Sequence, residues 1–500
     1  MTRPALRTRA SEGRVRLALF LVLVLAALLR LHHIDFHGIW ADELASLRYA
    51  TAPLDEILFG PDFDYHPPLY YFFLHFWVDV FPATEVSIRL PSVFFGVLSV
   101  FMTYVLGARL YGPFVGLVAA MIVSLSPWHL VYAHLARMYT PLLFFSLCST
   151  YFLFRILEKT SKRDVFLYIL TTILALYTQN MAVFMVVGQN VYYLYRWVVA
   201  RRNGDLPISF LKWCLIQIGI VTIYLPWIWV TLFTKLSQIQ GNYWVRREPI
   251  YQYLGGVVFI FAGIKKHTAA FFFAPWLCLL AVLGTVHARR LFRPAPADNA
   301  AAPSFFRSPR QAGLLWALLV VPPVLTAVAS QIMQPFFVPR SLIASSVALY
   351  LLAAVGIAGF EGRRRMAILA VTLGAAAIVL LQSYLQKSEH GFRAPILAVL
   401  TDASPGDAVV IDKRAGAYYS RQLTDRRDVR IGDLPEIVAG DPRFVTDYCA
   451  PGPGQRIWLV RSKLVPEAAA VLFETGGLDL DETRNFGDVA VDVFVCGAGR

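Results

Sequence analysis

Val15-Arg16-Leu17-Ala18-Leu19-Phe20-Leu21-Val22-Leu23-Val24-Leu25-Ala26-Ala27-Leu28-Leu29-Arg30-Leu31-His32-His33-Ile34 is an apolar run as long as a bilayer core requires, and Trp40-Ala41-Asp42-Glu43 follows soon after it. A helix needs roughly 20 apolar residues to cross the hydrocarbon layer. A cleaved leader would have a shorter apolar core and a small-residue cleavage site, so the run reads as a retained anchor. Arg3, Arg7, Arg9, Arg14 and Arg16 precede it and hold the N-terminus on the cytoplasmic side. Two adjacent carboxylates at the mouth of a span are costly there, and such groups are functional by default.

The whole chain agrees with this start. Its 500 residues are 57% hydrophobic and 16% charged, with mean hydropathy +0.55, too much apolar surface for a soluble protein to hide. The net charge of +13 comes from short arginine blocks between apolar segments. That pattern fits membrane topology rather than nucleic acid, which is excluded as a partner. Five cysteines are too few for a disulfide scaffold. Cys148, Cys214 and Cys278 lie in apolar stretches as packing residues, while Cys449 and Cys496 could pair outside the cytoplasm.

The basic clusters fix the crossings. Arg109, Arg155 to Arg163, Arg196 to Arg202, Arg289 to Arg310 and Arg363 to Arg365 are all cytoplasmic only if an even number of spans separates each from the next. On that rule His66–Phe81, short of a span, is a juxtamembrane helix in the outer interface, and 249–264 is interfacial or re-entrant. The crossings are expected near 15–34, 88–108, 114–133, 140–157, 165–180, 182–199, 208–230, 269–288, 313–332, 340–360 and 366–384. These make about eleven helices and leave the C-terminus outside. The Pro- and Ala-rich stretch 291–312 is a cytoplasmic linker. Beyond residue 386, Val409–Ile411, Arg456–Val460 and Val489–Val495 read as short strands, with helical patterns near 392–402 and 464–472. The expected fold is an all-α polytopic membrane protein with juxtamembrane helices and a small C-terminal extracytoplasmic α/β domain. Its expected parts are a tail over 1–14, a membrane domain over 15–385 with a first external loop over 35–87, and an outer domain over 386–500.

This topology gathers a set of polar residues on the outer face. Asp42, Glu43, Asp64, Tyr65 and His66 lie in the first loop, and His129, His134, Arg137 and Tyr139 lie between the third and fourth spans. Lys235, Tyr243, Trp244, Arg246 and Arg247 follow the seventh span, and Arg340 opens the tenth. Outer-face arginines run against the positive-inside trend, so each asks for an anionic partner. Glycosyl transfer from a lipid-linked sugar phosphate fits these residues. A phosphodiester already carries a fair leaving group, so the enzyme needs a carboxylate base for the acceptor hydroxyl. It also needs cations to hold the departing phosphate. Asp42 supplies the base, with Glu43 orienting it or the acceptor. Arg137 and Arg340, with Tyr139 and Arg246, supply the donor-phosphate contacts. Asp64, Tyr65, His66 and His134 line the acceptor and donor pocket.

Each of these residues also has a plain structural use. Acids favour a first helical turn, His66-Pro67-Pro68 suits a helix start, and arginines snorkel to lipid headgroups. His129 and His134 are badly spaced for one metal on one helix face, and no HExxH, CxxC, P-loop or GxSxG pattern in suitable context is present. No cofactor is implied, and a divalent cation near Asp42 stays open.

In their order, Asp42-Glu43, His66-Pro67-Pro68-Leu69, Arg89-Leu90-Pro91-Ser92 and Ala136-Arg137-Met138-Tyr139 resemble landmarks of the GT-C membrane glycosyltransferases. The similarity is to the branch of protein O-mannosyltransferases and lipid A aminoarabinose transferases, and covers roughly residues 15–385. It implies a polyprenyl- or dolichyl-phosphate sugar donor, inversion at the anomeric carbon, and Asp42 as the base. The acceptor is a lipid, polysaccharide or protein, and the expected location is the bacterial inner membrane, with membrane lipids around it. A late Arg-Tyr pair common in the family stands here as Arg340-Ser341. The main rival, a transporter or flippase of lipid-linked sugars, would need polar residues at mid-membrane in paired halves. Here they crowd at one end. A third reading, an inactive assembly subunit, would make Asp42 dispensable.

Overall fold

The computed structural model describes residues 3–60, 66–203, 208–234, 247–263, 268–291, 310–333, 335–385, 391–411, 413–419, 430–433, 454–462, 478–486 and 489–496. Helices run through most of it: α1 Arg3–Leu31, α2 Ala41–Ala50, α3 Leu54–Phe59, α4 Leu69–Val80, α5 Glu85–Tyr111, α6 Pro113–Leu125, α7 Pro127–Ala133, α8 Tyr139–Glu158, α9 Lys162–Thr178, α10 Ala182–Asn203 and α11 Phe210–Thr234. Further helices cover Ile250–Ala262, Thr268–Leu291, Arg310–Ile332, Ile343–Ala358 and Gly362–Leu385, and a 3-10 turn covers Pro339–Leu342.

Every expected crossing falls on helix, but not all are alike. Among the described residues, seven helices are long and apolar enough to cross a membrane, and the bent pair α6 and α7 makes eight if it is one span. The other three expected crossings fall on α1, α9 and α10, of which α9 has only 17 residues. The expected third span is broken, bending by 63° between α6 and α7. Pro127 has no N–H for the carbonyl of Val123, four residues back. The Arg30 guanidinium, itself buried, donates to that carbonyl at 3.4 Å and to Ala26 O at 3.2 Å. The same device recurs at Pro91 inside α5, where the Trp77 indole N–H donates to the freed Ser87 carbonyl at 3.0 Å.

The two doubtful segments are short helices. α4 has 12 residues and spans about 18 Å at 1.5 Å per residue, well short of the roughly 30 Å hydrocarbon core. It buries Tyr70, Tyr71 and Leu74 and exposes Phe73 and Phe76. Ile250–Ala262 has 13 residues.

The chain divides into two compact units: one of Met1–His32, Pro53–Leu74 and Arg89–Gln386, the other of His33–Ala52, His75–Ile88 and Lys387–Arg500. In the first, the span Pro339–Ala358 is 94% buried, whereas Phe210–Phe233 and Gly362–Leu385 are 22% buried, so the former is the central post. It packs tightly on Thr268–Leu291 through glycines. A Cβ on Gly356 would run into the Leu280 carbonyl, and one on Gly284 into that of Leu352.

The second unit holds a five-stranded sheet in the order β2-β1-β3-β5-β4. Its strands are β1 Ala408–Ile411, β2 Arg430–Asp433, β3 Arg456–Ser462, β4 Leu478–Phe486 and β5 Val489–Cys496. β1 pairs in parallel with β2 and β3, while β5 runs antiparallel to β3 and β4. β1, β3 and β5 are the three strands legible as apolar runs. β2 and β4 were not expected: Arg430-Ile431-Gly432-Asp433 has a single large apolar residue, and β4 is an edge strand of mostly polar residues. The helix Arg393–Asp402 lies where expected, and the pattern near 464–472 falls outside the described residues, as does most of the linker 291–312. Trp458 is fully buried on β3 and donates its indole N–H to Asp407 at 3.0 Å. Cys496 is disulfide-bonded, and its expected partner Cys449 lies outside the described residues. Cys148 is buried, as expected of a packing residue, but Cys214 and Cys278 are only half-buried.

Candidate functional site

In the first unit, helix ends bring the basic residues together. α7 stops at His134, whose N–H donates to Leu130 O and Val131 O, and a tight turn follows in which the Arg137 N–H reaches Leu135 O at 2.8 Å. Arg137, Tyr139 and His134 are all buried. The Ser92 hydroxyl on α5 donates to Arg137 O at 3.3 Å, and an Arg137 guanidinium N–H reaches the Tyr71 hydroxyl at 3.5 Å. Tyr139 opens α8, and the Arg340 guanidinium lies over its ring, 5.6 Å from the centroid. A cation over an aromatic face is held by the ring quadrupole. The T-shaped pairs Trp128–Tyr132 and Tyr132–Tyr139 continue the aromatic wall.

The same end contains residues that the sequence reading passed over. Gln179, buried between α9 and α10, donates from Nε2 to the Ser341 hydroxyl at 2.9 Å and thereby pins the turn bearing Arg340. Asn180 beside it accepts from the Tyr224 hydroxyl at 3.0 Å and the Trp227 indole at 3.3 Å. Neither residue carries charge or sits in a motif, so only their place at a short inter-span turn could have pointed to them. His129 bonds Ser346 at 2.9 Å, a packing role. Arg247 donates to Met333 O at 2.8 Å. His66 is half-buried, with Pro67 and Pro68 buried beside it ahead of α4.

In the second unit, Asp42 and Glu43 start α2. Glu43 is fully buried, and its carboxylate accepts from the Trp40 N–H at 3.1 Å, closing the first turn. Asp42 is half-buried at the second helical position, and its carbonyl accepts from the Ser46 hydroxyl at 3.1 Å. The segment before it is bound to the C-terminal part of the unit. Arg393 donates to Asp35 O at 2.7 Å and Phe36 O at 2.9 Å, and pairs with Glu85 at 2.9 Å. The Tyr419 hydroxyl donates to Glu85 at 2.7 Å and accepts from the Ile39 N–H at 3.2 Å. Burial, with the Glu85 carboxylate beside it, pushes the Tyr419 phenol well above its usual range, so it keeps its proton.

Asp64, Tyr65, Lys235, Tyr243, Trp244 and Arg246 lie outside the described residues. Among the described residues no group of three or more His, Cys, Asp or Glu side chains converges to hold a metal ion.

A family model described as dolichyl-phosphate-mannose-protein mannosyltransferase matches residues 65–229. Among solved structures, ArnT from Cupriavidus metallidurans bound to undecaprenyl phosphate is similar over 98% of this chain and 99% of its own, at 14% identity and TM-score 0.56. The Archaeoglobus fulgidus oligosaccharyltransferase, with an acceptor peptide tethered, is similar over 92% of this chain and 71% of its own, at 10% identity and TM-score 0.48. The S. cerevisiae Pmt1-Pmt2 protein O-mannosyltransferase bound to its sugar donor is similar over 51% and 37%, at 17% identity and TM-score 0.35. No curated protein matches by sequence. The resemblance read from the motifs agrees with these matches, and the chain shares the fold of the ArnT structure.

Proposed function

We propose that this chain is a GT-C glycosyltransferase that takes its sugar from a polyprenyl-phosphate donor and passes it, with inversion, to an acceptor hydroxyl on the extracytoplasmic side. Asp42 accepts the hydroxyl proton, and the freed oxygen attacks the anomeric carbon. The bond from that carbon to the phosphate oxygen breaks, and the lipid phosphate leaves with the electron pair. Arg137 and Arg340 hold the charge that grows on it, an electrostatic contribution of several kcal/mol in sites of this kind. Glu43 fixes the first turn of α2 and so the bearing of Asp42. The observation that carries the reading is Arg340 over the Tyr139 ring, two residues from buried Arg137, at the ends of apolar helices. A guanidinium suits a phosphate by its charge and its forked donors. The phosphate lipid in the similar ArnT structure supports the donor class, and the disulfide at Cys496 supports an oxidising outer compartment. The parts expected from sequence, a tail over 1–14, a catalytic membrane domain over 15–385 and an outer domain over 386–500, belong to the same proposal.

The test is turnover by purified protein on a panel of polyprenyl-phosphate sugars, with product glycoside as the readout. Asp42→Asn should lose activity by about 10²-fold or more while still binding donor. Wild-type turnover in that variant would end the base assignment. Movement of labelled lipid across liposomes without a new glycosidic bond would favour a flippase instead.

A further inference from the structure

We propose that Arg393, Glu85 and Tyr419 form a positioning clamp in which the C-terminal part of the second unit sets the bearing of Asp42. The inference rests on the reading of Asp42 as the base.

The chain from Asp35 to Glu43 is held at almost every peptide. Arg393 takes the carbonyls of Asp35 and Phe36. The Phe392 N–H donates to Ile39 O at 3.2 Å, and the Ile39 N–H goes to the Tyr419 hydroxyl. The Trp40 N–H goes to Glu43, and α2 begins at the next residue. Glu85 joins the two donors by accepting from both Arg393 and Tyr419. The fit is close enough to require glycine on both sides. A Cβ on Gly38 would lie 2.7 Å from the Arg393 Cβ, and one on Gly391 would lie 2.6 Å from Gly38 O. Gly391 also has φ +91°, which L side chains rarely adopt. The helix Lys413–Tyr418 packs on α2 itself. Such a set of bonds does more than hold two segments together. It removes the backbone freedom of the peptides leading to Asp42, and a base misplaced by about 1 Å can lose on the order of 10²-fold in rate.

None of the three side chains is assigned to touch substrate, so the expected signature is a split between turnover and donor binding. Arg393→Ala should lower kcat by about tenfold or more and leave the donor dissociation constant within about twofold, with Arg393→Lys recovering part of the loss. Tyr419→Phe removes one hydroxyl and little volume, and should lower kcat by about fivefold with donor binding again kept. It decides the matter if Arg393→Ala fails to fold. Wild-type kcat in Tyr419→Phe, or equal losses of kcat and donor binding in the folded variants, would overturn the clamp. Asp42→Asn measured alongside separates the two ideas. If it turns over like wild type, the base reading fails. If it is inactive while the clamp variants turn over normally, the clamp alone fails.

Discussion

At Glu43 a charge and a geometric role can be told apart by substitution. It is buried, holds the Trp40 N–H and closes the first turn of α2. Glu43→Gln keeps an acceptor oxygen for that N–H, whereas Glu43→Ala leaves it unmet and should cost about 1 kcal/mol of stability. The amide variant should therefore retain most of the turnover and the alanine variant should not; equal loss in both would mark the charge itself as necessary. Arg340 makes the opposite case. Its guanidinium is held by the Tyr139 face, and a charge-assisted bond to phosphate is worth about 1.5–3 kcal/mol. Arg340→Ala should weaken donor binding by about 10- to 100-fold and acceptor binding little. Comparable loss for both substrates would remove the phosphate contact.

Among the helices, what was legible followed from length and charge, and what was not followed from backbone detail. The short lengths of α4 and Ile250–Ala262 were visible because their apolar runs end early. The break at Ser126-Pro127 was visible only as a proline, since the partner of the freed carbonyl, Arg30, lies far away in sequence. Gln179 and Ser341 were hidden for the same reason: an uncharged pair 162 positions apart leaves no local pattern. β2 and β4 were missed because one is short and the other is a polar edge. The contact of Ile343–Ala358 with Thr268–Leu291 belongs to this scale too. Without a hydrophobic drive between spans, close backbone approach through small residues carries the packing. Gly356→Leu should prevent that approach at a cost of about 3 kcal/mol or more. The thermal midpoint in detergent should drop sharply; an unchanged midpoint would show that the helices separate without penalty.

For the molecule as a whole, the basic clusters and the disulfide are separate measures of sidedness. In intact cells an impermeant maleimide should label Cys496 after mild reduction and not before. Labelling without reductant would contradict the bond, and no labelling after reduction would put the C-terminal unit on the other side. Thiols at Cys148, Cys214 and Cys278 are free and lie within apolar helices, so they provide the unlabelled background.

The partnership of Asp35 with Arg393, 358 positions apart, has a consequence for biosynthesis. The loop bearing the acids leaves the ribosome early, while the residues that grip it are translated near the end. Contacts of such long range form slowly, so the nascent enzyme must insert its helices with the acidic loop still loose. On the proposed clamp, it should become competent only once its tail has closed on the loop. A premature stop anywhere after the last span would thus yield a chain that inserts normally and stays inert.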